Sequence, residues 1–241
     1  TNIAISGSTV TWDVVSAAQG YTVDRGTLRN VNNTQYDLSD ITTAGSYQLS
    51  VCAKGDGKTV LPSNYSAAIR VTKLSAPTDI RVDTGVNEGQ LYWESVQNAV
   101  SYNIYFNGSN EPIDDDRLDN INEYIRTDTV TVVIEAVANV WNADRTEYFI
   151  SSNLSSTAQF TKIAAVTFPS PSFSNTELIW NAPSNVSGAV SYQVFDGDGY
   201  RYDGRIDGTR MDLSTLEAGI YTFQVKCIGD GTAYINSDLS V

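Results

Sequence analysis

Of the residue types that carry acid–base, nucleophilic or metal chemistry, this chain has carboxylates in plenty, two thiols and no imidazole. The absence of histidine removes the usual general base, the Ser–His–Asp triad and the commonest zinc ligand together. The 28 acidic residues could still supply the carboxylate pair of a glycosidase. With so many, some pair lies close in any fold, so the pattern has no specificity. The chain reads as non-enzymatic, with no cofactor. Two acidic groups invite calcium: Asp114-Asp115-Asp116 with Asp119, and Asp196, Asp198, Asp203 and Asp207. Neither has the glycine and closing glutamate of a calcium loop, and the second is interleaved with Gly197, Gly199, Gly204 and Gly208 as hairpin turns are. Both read as solvated turns, and no metal site is expected.

Recognition chemistry is better served by Trp141, Asp144, Arg145 and Tyr148. An exposed aromatic ring stacks on a sugar while nearby polar groups fix its hydroxyls. These residues share the stretch from Val137 to Ser151, longer than its counterparts elsewhere in the chain. A Trp on a loop leaves a large apolar surface uncovered unless something packs on it. The cover is either a ligand, a glycan or surface protein, or another part of this chain, in which case Trp141 stiffens a joint.

The elements around these residues come from a unit written three times. Val10-Thr11-Trp12 with Gly20-Tyr21-Thr22-Val23 returns as Leu91-Tyr92-Trp93 with Ser101-Tyr102-Asn103-Ile104, and as Leu178-Ile179-Trp180 with Ser191-Tyr192-Gln193-Val194. Alternation of apolar and polar residues is the period of a half-buried antiparallel strand. Recurrence at roughly eighty residues means three small domains of one design. Trp12, Trp93, Trp180, Tyr21, Tyr102 and Tyr192 are expected in their cores, with Tyr47 and Tyr221 further along. In the first repeat strands are expected around Ile3–Ile5, Val10–Trp12, Tyr21–Val23, Tyr36–Leu38, Tyr47–Ala53 and Ala67–Thr72, with a polar turn over Asn30–Thr34. Short strands with turn residues between them mark a β-sandwich, and no helix is expected.

The formal net charge of −13 argues against nucleic acid and against anionic membrane surfaces. No apolar run is long enough for a membrane span. Cys52 and Cys227 fall in equivalent strands of repeats one and three but with opposite parity. Cys227 is expected in the core, and Cys52 as a partly exposed thiol.

These residues resemble tandem fibronectin type III domains of Gram-positive bacterial surface and secreted proteins. The resemblance rests on the three Trp–Tyr units and on Leu-Ser-Asp-Ile-Thr-Thr-Ala-Gly-Ser-Tyr (38–47) with its echo Leu-Ser-Thr-Leu-Glu-Ala-Gly-Ile-Tyr (213–221). It rests also on Ser63-x-x-Ser66, Ser152-x-x-Ser155 and Ser237-x-x-Ser240. The second motif is similar to the tyrosine corner, in which a Tyr hydroxyl bonds to backbone just upstream. Repeat two departs from it, with Val130 at the corner position. Some animal members carry Arg-Gly-Asp in the loop where this chain has Gly55-Asp56-Gly57 and Gly229-Asp230-Gly231, and that triplet is absent.

The resemblance implies an all-β chain of three tandem immunoglobulin-like sandwiches, over residues 1–73, 74–163 and 164–241, forming an extended rod. It implies a non-catalytic adhesion or spacer segment, extracellular or on the cell surface of a bacterium, that connects or presents other domains. Two alternatives stand beside it: a carbohydrate-binding module, and an accessory part of a secreted glycan-processing enzyme. The third repeat ends after Ser237-x-x-Ser240, where the first continues through Ile69 and Val71. A missing last strand would leave a sheet edge unpaired, so further polypeptide of the same protein, or a neighbouring chain, is expected to cover it.

Overall fold

The computed structural model describes the chain except for Thr1, Asn110, Glu111, Asp115, Asp116, Arg117, Asp119, Arg126, Thr127 and Ala189, and describes only the backbone of Asp203. The calcium readings at Asp115, Asp116, Asp119 and the Asp203 side chain lie outside the described residues.

The first repeat forms β1 (Ile3–Ser6), β2 (Thr9–Trp12), β3 (Tyr21–Asp24), β4 (Leu28–Val31), β5 (Gln35–Asp37), β6 (Gly45–Ala53) and β7 (Ile69–Lys73). Strands β1-β2-β5 make one antiparallel sheet, and β4-β3-β6-β7 make the other. The second repeat forms β8 (Arg81–Val82), β9 (Leu91–Tyr92), β10 (Ser101–Phe106), β11 (Ile113–Asp114), β12 (Thr129–Val137), β13 (Val140–Trp141), β14 (Glu147–Ile150) and β15 (Ala158–Lys162). Its sheets are β8-β9, extended by a bridge between Leu91 and Leu118, and β11-β10-β12-β15. The third forms β16 (Phe173–Ser174), β17 (Glu177–Ile179), β18 (Ser191–Asp196), β19 (Arg201–Ile206), β20 (Arg210–Asp212), β21 (Phe223–Ile228) and β22 (Tyr234–Ile235). It pairs as β16-β17-β20 and β19-β18-β21. Each pair of sheets encloses its own apolar core, so the chain is three tandem all-β sandwiches.

Strand alternation sets the cores. Tyr21, Val23, Leu49 and Val51 point into the first, and Tyr102, Ile104, Val130, Val132 and Ile134 into the second. Trp12–Tyr21, Trp93–Tyr102 and Trp180–Tyr192 meet edge to face at 5.4, 5.1 and 5.4 Å, the favoured geometry for aromatic pairs. Trp12 and Trp180 are buried, and their indole Nε1 atoms have no hydrogen-bond partner among the described residues. Trp93 is only half-buried, packing against the edge of the second core instead of lying within it as expected.

Strand register aligns the repeats. Tyr21 faces Ala53, Tyr102 faces Ala136 and Tyr192 faces Cys227. Counting back along the strand makes Tyr47, Val130 and Tyr221 equivalent. Tyr47 donates to the Thr43 carbonyl at 2.8 Å and Tyr221 to that of Glu217 at 3.0 Å. Both corners sit at the rim, which corrects their expected place in the core: Tyr47 is half-buried and Tyr221 is 39% exposed. Each ring must reach back over the sheet end to find its carbonyl. Val130, lacking that hydroxyl, is buried instead.

The Ser-x-x-Ser pairs replace a ladder where the chain crosses before the last strand. Ser63 and Ser66 accept the Ala53 and Val51 N–H groups through their hydroxyls, and their own N–H groups donate to the same residues' carbonyls. Ser152 and Ser155 do the same to Ala136 and Ile134, and Ser237 and Ser240 to Cys227 and Val225. Backbone amides that would otherwise be buried unpaired are thereby satisfied.

Two further expectations differ from the structure. Residues Asn30 and Val31 belong to β4, an exposed edge strand whose polar face hides its alternation, so the turn is shorter than expected. Cys52 is buried, because the Ser63 segment lies across its face and its Sγ donates to the Ser63 carbonyl at 3.0 Å. Cys227 is in the core as expected, and burial pushes its thiol up to about 11.

Candidate functional site: the joints between sandwiches

Residues Trp141 and Tyr148 belong to a hairpin whose turn is held by Asn142. Its Oδ1 accepts the N–H groups of Thr146 at 2.8 Å and Glu147 at 3.1 Å. The two strands place Trp141 opposite Tyr148, edge to face at 5.2 Å. This is a fourth Trp–Tyr pair, made across a hairpin. Asp144 and Arg145 stand exposed at the tip. The structure therefore brings the two aromatics together and leaves the two charged residues exposed at the turn.

The hairpin does not stay with its own sandwich. Strand β14 pairs in parallel with β7 of the first sandwich, aligning Tyr148 with Val71 and Ile150 with Lys73. It thereby extends the first sandwich's sheet to six strands, in the order β13-β14-β7-β6-β3-β4. Alternation then splits β14 between two cores. Tyr148 and Ile150 enter the core of the first sandwich, and Phe149 that of the second. The Tyr148 hydroxyl donates to the Gly7 carbonyl at 3.0 Å, and burial pushes its pKa up. Trp141 packs, partly buried, against the same first core. At the strand edge Thr72 donates to Glu147, and the Arg70 guanidinium lies 3.6 Å from the same carboxylate. Asn153 also donates to the Thr42 carbonyl, at 2.6 Å.

The next joint repeats this design with fewer residues. Strand β22 pairs in parallel with β15, aligning Tyr234 with Thr161 and Ile235 with Lys162. Ile235 lies in the core of the second sandwich, while Tyr234 packs against the third. Its loop opens on Gly229-Asp230-Gly231. The Gly231 carbonyl accepts from Val82 N–H, and that of Ala233 from Thr161 N–H, both at 2.8 Å. A Cβ on Gly231 would stand 2.3 Å from the Val82 carbonyl oxygen, so only glycine permits this approach. Lys226–Glu88 and Lys162–Asp238 ion pairs, at 2.7 and 2.8 Å, flank the joint.

Trp141 and Tyr148 stand out in the sequence, whereas β14 and β22 as shared strands do not. The signal at β14 was the continuous apolar run Tyr148-Phe149-Ile150, which has no polar face because both sides are covered. A cleft beside the first joint, lined by Ser8, Leu38, Lys73, Glu135 and Ile150, encloses about 200 Å³. That is below the roughly 300–1,000 Å³ of pockets that take drug-sized ligands. Burial in it pulls the Lys73 pKa down, opposed by the Glu135 carboxylate. Among the described residues no helix is long and apolar enough to cross a membrane.

No family model and no curated protein matches this chain. Among solved structures it is similar to the central fibronectin-III array of RIM-binding protein, at 11% identity and a TM-score of 0.25, over 100% of this chain and 94% of that one. It is similar also to the FN1–FN3 domains of chicken CNTN1, at 15% identity and a TM-score of 0.29, over 100% of this chain and 93% of that one. At these TM-scores the likeness assigns neither residues nor function.

Proposed function

We propose that this chain is a tandem array of fibronectin type III-like sandwiches, divided at 1–73, 74–163 and 164–241, that acts as a non-catalytic spacer or adhesion segment. The sequence resemblance supports a location outside the cell, on a bacterial surface, with the role of connecting or presenting other domains. The observation that carries the reading is the shared strand: in both joints the following sandwich inserts an apolar residue into the core of the preceding one. Such a joint resists bending, because hinging it withdraws buried side chains and breaks main-chain hydrogen bonds. Stiff spacing needs no pocket and no reactive group. The Trp141 hairpin then serves as the clamp of the first joint.

The test is Trp141→Ala in the whole chain, read by small-angle scattering, thermal unfolding and glycan-array binding. A wider spread of inter-domain distances with a lowered first transition is expected. Glycan binding by the native chain that Trp141→Ala abolishes, with unfolding unchanged, would overturn this reading in favour of a carbohydrate-binding module.

A further inference from the structure

Residues Leu61, Ile150 and Ile235 occupy one position, each two residues before the first serine of its Ser-x-x-Ser pair. In the two joints this residue fills the preceding core: Ile150 is 4% and Ile235 is 3% exposed. Leu61 is 87% exposed. The loop that carries it has the same length and opening as the seated loop of the third sandwich, Gly55-Asp56-Gly57 against Gly229-Asp230-Gly231.

It also has the same shape. Asp56 Oδ1 accepts the N–H groups of Lys58, Thr59 and Val60, each at 2.8 Å. Asp230 Oδ1 accepts those of Thr232, Ala233 and Tyr234 at 2.8, 2.8 and 2.9 Å. Gly57 and Gly231 have φ of +70° and +74°. A Cβ on Gly55 would meet the Val60 carbonyl oxygen at 1.9 Å, and one on Gly229 that of Tyr234 at 2.2 Å. The first loop thus holds the seated conformation with nothing seated on it, and binding would cost little ordering entropy.

We propose that the loop from Gly55 to Pro62 is a preformed plug for the last-strand end of another sandwich of this kind, joined ahead of the first as the three here are joined to one another. Leu61 enters that sandwich's core, Val60 and Leu61 pair in parallel with its last strand, and the Gly57 carbonyl meets an N–H of its first strand. The occupant is an adjacent sandwich on the same polypeptide, because both internal joints seat a following loop in the sandwich just before it. This inference rests on the joint reading above.

The test moves the loop to a socket of known structure. In the full chain, residues 229–236 are replaced by the sequence of residues 55–62, and hydrogen exchange is read at the Thr161 and Ile163 amides, which donate to the seated loop. Ile235→Asp is the unseated control, expected to speed their exchange about tenfold or more. The transplanted loop should keep them protected, and Asp at its Leu position should release them. Fast exchange in the transplant, or loss of the Val225 and Cys227 amides through failure of the third sandwich, overturns the proposal. Concentration-dependent association of the native chain that Leu61→Asp abolishes would make a second copy the occupant, and also overturns it. If Ile235→Asp leaves Thr161 and Ile163 protected, the joint reading itself fails; if only the transplant fails, that reading stands.

Discussion

At Asp56 one carboxylate oxygen gathers three successive backbone amides, and its partner oxygen takes the Thr59 hydroxyl at 2.6 Å. The Thr59 hydroxyl first, and then the amides of Val60, Lys58 and Thr59, hold its pKa well below the usual carboxylate range. A depressed pKa favours the folded loop wherever the unfolded group is ionised, and that support is lost only as pH falls through the folded value. The loop should therefore keep its Val60 amide protected from about pH 5 through the ordinary Asp pKa of about 4, and lose that protection progressively below it, fully only at the far lower pH where the folded Asp56 itself takes a proton. Asp56→Asn should lose part of that protection wherever Asp56 is ionised and converge with the native chain once it is protonated, as read by NMR exchange. Trp12 poses the opposite case, a buried donor with no acceptor. Trp12→Ala should destabilise the first sandwich by about 3–5 kcal/mol. Trp12→Phe should cost less than half of that, since it deletes the orphaned N–H and keeps a ring against Tyr21. Urea unfolding that shows equal costs would mean the indole N–H carries no penalty.

Among the elements, the stretch between β12 and β15 depends on two hydroxyls more than on a ladder. Ser152 Oγ accepts the buried Ala136 N–H at 2.8 Å and donates to the Asn153 carbonyl at 2.6 Å. Ser152→Ala strands that amide, and leaving a buried donor unpaired costs about 1–3 kcal/mol. Chemical denaturation should show that loss in the second sandwich. Ser152→Thr keeps the hydroxyl and should recover much of it. Strand β14 makes a different demand, because Tyr148 and Ile150 serve one core and Phe149 another. Tyr148→Phe removes one hydrogen bond to Gly7 and should weaken the joint by about 1 kcal/mol, with the hairpin still seated. Exchange at the Leu74 amide, which donates to the Ile150 carbonyl, reports it.

For the whole molecule the shared strands set a direction of dependence. The first sandwich takes Tyr148 and Ile150 from the second, and the second takes Ile235 from the third. Unfolding a later sandwich therefore strips core residues from the one before it. Ile134→Ala in the second core, a change that typically costs about 2–5 kcal/mol, should also weaken the first sandwich. Leu49→Ala in the first core should leave the third untouched. Segment-resolved hydrogen exchange distinguishes the two, and equal independence of all three sandwiches would contradict shared cores.

The tandem all-β architecture was legible in the residues alone. Period-2 alternation, the repeated Trp–Tyr unit and the Ser-x-x-Ser pairs each depend on neighbours a few residues away or one strand across, so local pattern suffices to place them. The cores around Trp12 and Trp180, the two tyrosine corners and Cys227 follow from that register. Partners outside a repeat left no such trace. Cys52 is outward by parity and still buried, because a crossing segment covers it. Trp141 reads as a sugar platform or as a clamp, and Tyr148 only as part of the platform, since a side chain's type fixes how much apolar surface it must hide and not which domain hides it. Tertiary structure alone seats β14 on β7 and β22 on β15, because main-chain pairing between sandwiches is almost independent of side-chain identity. The same blindness made Leu61 and Ile235 look alike in sequence, although one faces solvent and the other fills a neighbouring core.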